Sequence, residues 1–262
     1  MSRSSQEHQN YLQKQKKEKR IVSIIQITIL FLFFLLWEIT TKTSILNSFL
    51  YSSPSKIIST LLSLFTKGDL LHHIEITLWE VIISFVLSTI LGIFIAFFLW
   101  RYPRLSKVVD PYLTIINSLP KVSLGPLIII WAGAKIQSII LMALLISLFT
   151  TIIHIYQGFI SVPSDYITLM KSFQATPTQT FFKVIFPSNF ENLIAVSKVN
   201  LSLCFIGVIM GELLVSKHGL GYLITYGSNV FQLDLVMSSI FLLGILSYLL
   251  YSLLDKVHKK SN

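Results

Sequence analysis

The sequence predicts an all-α, polytopic membrane protein, on three observations. Of its 262 residues, 53% are hydrophobic and only 13% charged, far from the composition of an ordinary soluble domain. The apolar residues gather into six runs, each long enough to cross a bilayer as a helix. Basic residues fall mostly between these runs, and mostly on one side of the membrane they imply.

Crossing about 30 Å of hydrocarbon at about 1.5 Å per residue takes roughly 20 residues. Runs at about 21–40, 74–100, 108–131, 136–156, 193–215 and 235–254 meet that length. The first follows a basic leader, KQKKEKR, as in a secretory signal. Its apolar part is too long for one and no small-residue cleavage pattern follows, so it reads as a retained anchor. In the third run, NSLPKVSLGP places Pro120, Lys121 and Pro126 inside the span, which predicts a kinked or broken helix. In the fifth, Gly207 and Gly211 form a G-x-x-x-G spacing that permits close helix approach, within the chain or to a second copy.

Orientation follows from the positive charge. With the N-terminus inside, Lys42, Lys56, Lys67, Lys135 and Lys217 are external, and Lys121 and Lys198 lie within spans. The remaining 14 of the 21 Lys and Arg residues are internal. Both termini are therefore expected in the cytoplasm, at the cell (plasma or inner) membrane. The net charge of +9 is explained by topology and contact with anionic lipid, and nucleic-acid binding is not implied. The expected organisation is a basic segment over 1–20, a transmembrane domain over 21–256 and a tail over 257–262.

The longest internal loop, about 157–192, carries its own structural signals. Thr176-Pro177-Thr178-Gln179 combines a Thr N-cap, a Pro at the first helical position and a Gln completing a capping box. A short helix should run from there to near Pro187, with Phe181, Phe182, Ile185 and Phe186 at helical spacings. Another should open at Ser164-Asp165 and run to about Phe173, the two joined at Gln174-Ala175. Two readings stand: packing against the inner ends of the spans, or docking to a cytoplasmic partner.

Two charged groups inside spans are candidate path or gate residues. Glu212 is either a pathway carboxylate or an interfacial one bonded to a loop; Lys121 either meets an anion or serves structure. Enzyme signatures are missing. There is no G-x-x-x-x-G-K-[ST] phosphate loop, so no nucleotide cofactor is expected in this chain. No H-E-x-x-H occurs, and the single Cys204 forms no metal or disulfide framework.

Several segments together resemble the permease subunits of bacterial binding-protein-dependent ABC importers, in particular the sulfonate, nitrate and taurine type. They are SSPSKI, the TL of HIEITLWE, DPYLTIINSLPKVSLGPLIIIWAG, GELLVSKHGLGYLI and the internal loop, in order from about Tyr51 to Lys256. The family's loop reads E-A-A, three residues, Gly, then an apolar-Pro pair. Here Thr168-Leu169-Met170, Gln174 and Phe186-Pro187 hold those positions, with Thr168 replacing the acid and Gln174 the glycine. The resemblance implies coupling to a separate ATPase subunit, which binds the ATP and Mg, through Lys171, Phe173, Gln174, Ala175, Thr176, Phe181 and Phe182. It implies a second permease subunit, as a homodimer, and an extracytoplasmic solute-binding protein. It leans toward small organic anions, with pyrimidine or vitamin precursors as another class. The competing reading is a self-sufficient secondary transporter or channel, which usually needs ionisable relays and an internal repeat; no clear repeat is visible.

Overall fold

The structure is a computed structural model that describes residues 3–261, with side chains over 11–66 and 68–256. Every regular element among them is helical. Helix α1 (Arg3–Lys42) carries both the basic leader and the first apolar run; its 40 residues form a rod about 60 Å long. The expected anchor is thus the outer part of a longer helix. α1 packs on α2 (Ser48–Tyr51) and α3 (Pro54–Lys67), and Phe34 meets Phe241 edge-on at 6.0 Å.

The helix α3 was not anticipated, although its signals are local. Ser53 accepts the Lys56 N–H as N-cap, Pro54 occupies the first turn, and Ile57, Leu61 and Leu64 repeat at helical spacing. At 14 residues it is too short to span.

Next come α4 (Leu70–Arg101) and α5 (Pro103–Ser118), then a single 3-10 turn (Lys121–Leu124) leading into α6 (Gly125–Ala132). The two parts of this third run meet at 82°, so the expected break is present and sharp. α7 (Ile136–Ile160) returns across the bundle. The internal loop follows, with α8 (Ser164–Ser172), α9 (Pro177–Thr180) and α10 (Phe186–Ser188). Then come α11 (Phe190–Val215), the short α12 (Leu220–Asn229) and α13 (Leu233–Ser261). α13 continues through most of the expected tail; residues 1, 2 and 262 lie outside the described residues.

At the centre, α7 packs against both α4 and α11. Small residues set the approach. A Cβ on Gly92 would meet Thr151 Cγ2 at 2.7 Å, and one on Gly211 would meet the Ile139 Cα at 2.9 Å. The G-x-x-x-G pair therefore serves a contact within the chain, between α11 and α7. Buried Asn200 donates to Ser88 and Thr89, each at 2.8 Å, tying α11 to α4. Lys198 pairs with Asp255 at 2.6 Å, tying α11 to α13.

Candidate functional site

The internal loop is built of local devices. α8 ends in a Schellman arrangement: the Ala175 N–H donates to the Met170 carbonyl and the Gln174 N–H to that of Lys171. The residue between must turn left-handed, and Gln174 does so, with φ of +54°. The position where the resembled family has glycine thus keeps glycine's conformation with a Cβ present, at a cost of about 1 kcal/mol. Two residues on, the expected capping box is complete. The Thr176 hydroxyl accepts the Gln179 N–H, and the Gln179 side chain accepts the Thr176 N–H at 2.8 Å.

Beyond the cap, the chain departs from the single regular helix expected. Phe181–Ile185 forms a π turn, in which the Phe186 N–H donates to the Phe181 carbonyl. Pro187 supplies no N–H to the carbonyl of Lys183, and its ring crowds that carbonyl; a widened turn relieves both. The widening also separates the neighbouring aromatics. Phe181 is 2% exposed and sits edge-on to Phe97 at 4.6 Å and Phe159 at 5.1 Å, on α4 and α7. Phe182 is 61% exposed. Of the two, Phe181 holds the loop to the spans.

The outward face of the loop lies on α8. Tyr166, Leu169 and Phe173 follow at i, i+3 and i+7, forming one stripe, and all three are exposed, Phe173 at 72%. Lys171, Ala175 and Thr176 flank it. The resemblance implied a coupling role for Phe173 but not for Tyr166 or Leu169, although their spacing is visible in the sequence.

At the opposite end, Glu212 is 1% exposed. Its Oε1 accepts from Thr77 Oγ1 at 2.7 Å and its Oε2 from the Gly221 N–H at 2.5 Å. The Leu220 N–H donates to Thr77 Oγ1 and the Gly219 N–H to His73 Nδ1, each at 2.9 Å. Three successive amides at the start of α12 are therefore satisfied by side chains of α4 and α11, and a carboxylate suits a helix N-terminus. Gly219, at φ +98°, leaves no room for a Cβ against that carboxylate. Glu80, 2% exposed, brings its own carboxyl group against that of Glu212. Sequence reasoning missed Glu80, since nothing local marks two residues so far apart as neighbours.

Lys121 sits in the break between α5 and α6. Its Nζ donates to Asn117 Oδ1 at 2.8 Å and to the Ile146 carbonyl at 3.3 Å, and lies 5.8 Å from the centre of the Phe149 ring. Asn117 Oδ1 also accepts from Thr150 Oγ1 at 2.8 Å. The structure does not bring Lys121 and Glu212 together: one lies among α5, α6 and α7, the other among α4, α11 and α12.

Comparison with known proteins adds the following. A family model described as a binding-protein-dependent transport system inner membrane component matches residues 88–260. A probable ABC transporter permease protein of Haemophilus influenzae is 28% identical over 222 residues, 84% of this chain and 89% of that protein. The formylaminopyrimidine transport permease protein ThiX of Halalkalibacterium halodurans is 27% identical over 91% of this chain and 95% of its own. The putative aliphatic sulfonates transport permease protein SsuC of Bacillus subtilis is 24% identical over 86% and 82%. Among solved structures, the MetNI methionine ABC transporter in an inward facing conformation aligns with a TM-score of 0.66 at 20% identity. That alignment covers 74% of this chain and 96% of that one, a likeness of fold.

Proposed function

The chain belongs to the family of binding-protein-dependent transport system inner membrane components, the permeases of ABC transporters, and from that premise we propose a function. With a second copy of itself, it forms the path by which a small solute enters the cell, and a separate ATPase subunit drives the movement. An extracytoplasmic binding protein delivers the solute. Both termini and the loop around α8 face the cytoplasm, a reading supported by the 14 internal basic residues of 21. The solute is a small organic anion, a class supported by the relative named for aliphatic sulfonates; the relative named for formylaminopyrimidine supports the pyrimidine class instead.

One observation carries the coupling role. The loop exposes an apolar stripe, Tyr166, Leu169 and Phe173, while Phe181 sinks into the spans behind it. A stripe of this kind, on a helix capped at its end by Gln174, suits a groove on the ATPase, with Lys171, Ala175 and Thr176 at its rim and Phe182 beside it. Closure of the partner then moves α8, and Phe181 passes the motion to α4 and α7 as a rigid-body shift.

The test is co-purification with the ATPase subunit, together with binding-protein-stimulated ATP hydrolysis in reconstituted vesicles. Phe173→Ala should weaken subunit binding by about 2 kcal/mol, roughly 30-fold, with thermal stability of the isolated chain unchanged. If Leu169→Ala and Phe173→Ala combined leave binding and stimulation intact, α8 does not couple.

A further inference from the structure

Lys121 lies deep in the membrane. Its partner carbonyl belongs to Ile146, about 15 Å from the outer end of α7 and about 21 Å from the inner end, counted along the helix. At that depth the backbone between α5 and α6 leaves regular helix, and residues 118–120 and 122–123 are exposed on the surface of the single chain. Irregular backbone cannot face hydrocarbon, because its unpaired amides and carbonyls find no partner there. This face must therefore be covered by protein or wetted by a water-filled path.

The charge of Lys121 sharpens the choice. Its hydrogen-bond partners are neutral, Asn117 and the Ile146 carbonyl, and the ion pairs among the described residues are Lys42–Glu38 and Lys198–Asp255. The other cation of the bundle, Lys198, holds its own carboxylate; Lys121 holds none. A cation at the centre of a membrane protein without an acidic partner calls for an anion supplied from outside the chain. Asn117 is itself positioned by Thr150, so the ammonium is aimed by a small polar network.

We propose that Lys121 and the α5–α6 break form an anion-selective constriction at mid-depth of the solute path, through which the solute passes as an anion. This rests on the reading of the chain as a permease and names the charge class of what it carries. Paired with the Lys121 of a second copy, the constriction presents two positive charges to the passing solute. A neutral solute gains nothing from them.

The test uses the full chain in open membrane vesicles, with Cys204→Ala and Ser123→Cys. Ser123 is exposed in the same turn as Lys121, and position 204 is buried. Two small impermeant methanethiosulfonate reagents are compared, one bearing a sulfonate and one a quaternary ammonium. The thiol should react with both, faster with the sulfonate. Lys121→Gln should lower the ratio of anionic to cationic labelling about tenfold or more, and Lys121→Arg should restore it. Each variant is checked for membrane insertion by its amount in the vesicles and by unchanged labelling of an external Lys56→Cys reporter. No labelling at position 123 by either reagent would overturn the path assignment. Labelling whose charge ratio ignores Lys121→Gln would overturn the selectivity. Neither readout needs the ATPase, so a failure of the α8 docking test leaves this one standing, and the reverse.

Discussion

The connections that lead into α12 and α9 both begin a short helix, and they satisfy its first amides in opposite ways. At α12, the amides of Gly219, Leu220 and Gly221 are taken by His73, Thr77 and Glu212, side chains that belong to the long spans. At α9, the amides of Thr176 and Gln179 are satisfied within the loop itself, by the Thr176–Gln179 box. A helix capped by its neighbours is fixed to them. A helix that caps itself is a module, attached at chosen points, here Phe181. The start of α12 is thereby closed around a buried carboxylate, and α8 keeps an exposed apolar stripe on a firm mounting.

This contrast can be broken first at the start of α12. Glu212→Ala leaves the hydroxyl proton of Thr77, the Gly221 amide and the Glu80 carboxyl group without the acceptor or partner they have in a buried site, while Thr77 Oγ1 still accepts from the Leu220 N–H. At about 1–3 kcal/mol for each buried group left unsatisfied, the expected cost is about 3–5 kcal/mol, read as a large loss of thermal stability in detergent. A variant that stayed within about 1 kcal/mol of the parent would show the α12 cap to be dispensable.

The inner mounting comes next. Phe181→Ala removes a ring packed on Phe97 and Phe159 and should cost about 3 kcal/mol. Its signature differs from that of Phe173→Ala: binding-protein-stimulated hydrolysis should fall even where the ATPase subunit still co-purifies. Equal losses of binding and stimulation in the two variants would erase the distinction between mounting and docking face.

The smallest effect sharpens the picture of the module. Gln174→Gly places at φ +54° the residue that accepts that conformation, and should raise stability by about 1 kcal/mol or less, with coupling kept. A measurable destabilisation would mean that the Gln174 side chain makes contacts worth more than the strain it carries.

Much of the loop was readable because its devices are local. Thr176, Pro177 and Gln179 stand within one helical turn of one another, so sequence spacing and spatial contact coincide. The break in the third span was readable for the same reason, since Pro120 and Pro126 act on their own backbone. The π turn was not, because it arises from how Pro187 and the inward pull of Phe181 share a few residues. Without it, Phe181 and Phe182 are alike in sequence, two adjacent aromatics on one expected helix.

By itself, then, the sequence determined the class of the protein, its six apolar runs, the placement of its positive charge and the self-capped loop between the fourth and fifth runs. These depend on hydrophobic length and on contacts between near neighbours. The tertiary structure alone decided that Gly207 and Gly211 meet α7, that Phe181 faces in and that Glu212 caps α12 beside Thr77 and Glu80. Those facts join residues from different helices. A side chain's partner across a bundle depends on how each helix is rotated and how deep it sits, and packing fixes both only when all the helices are present.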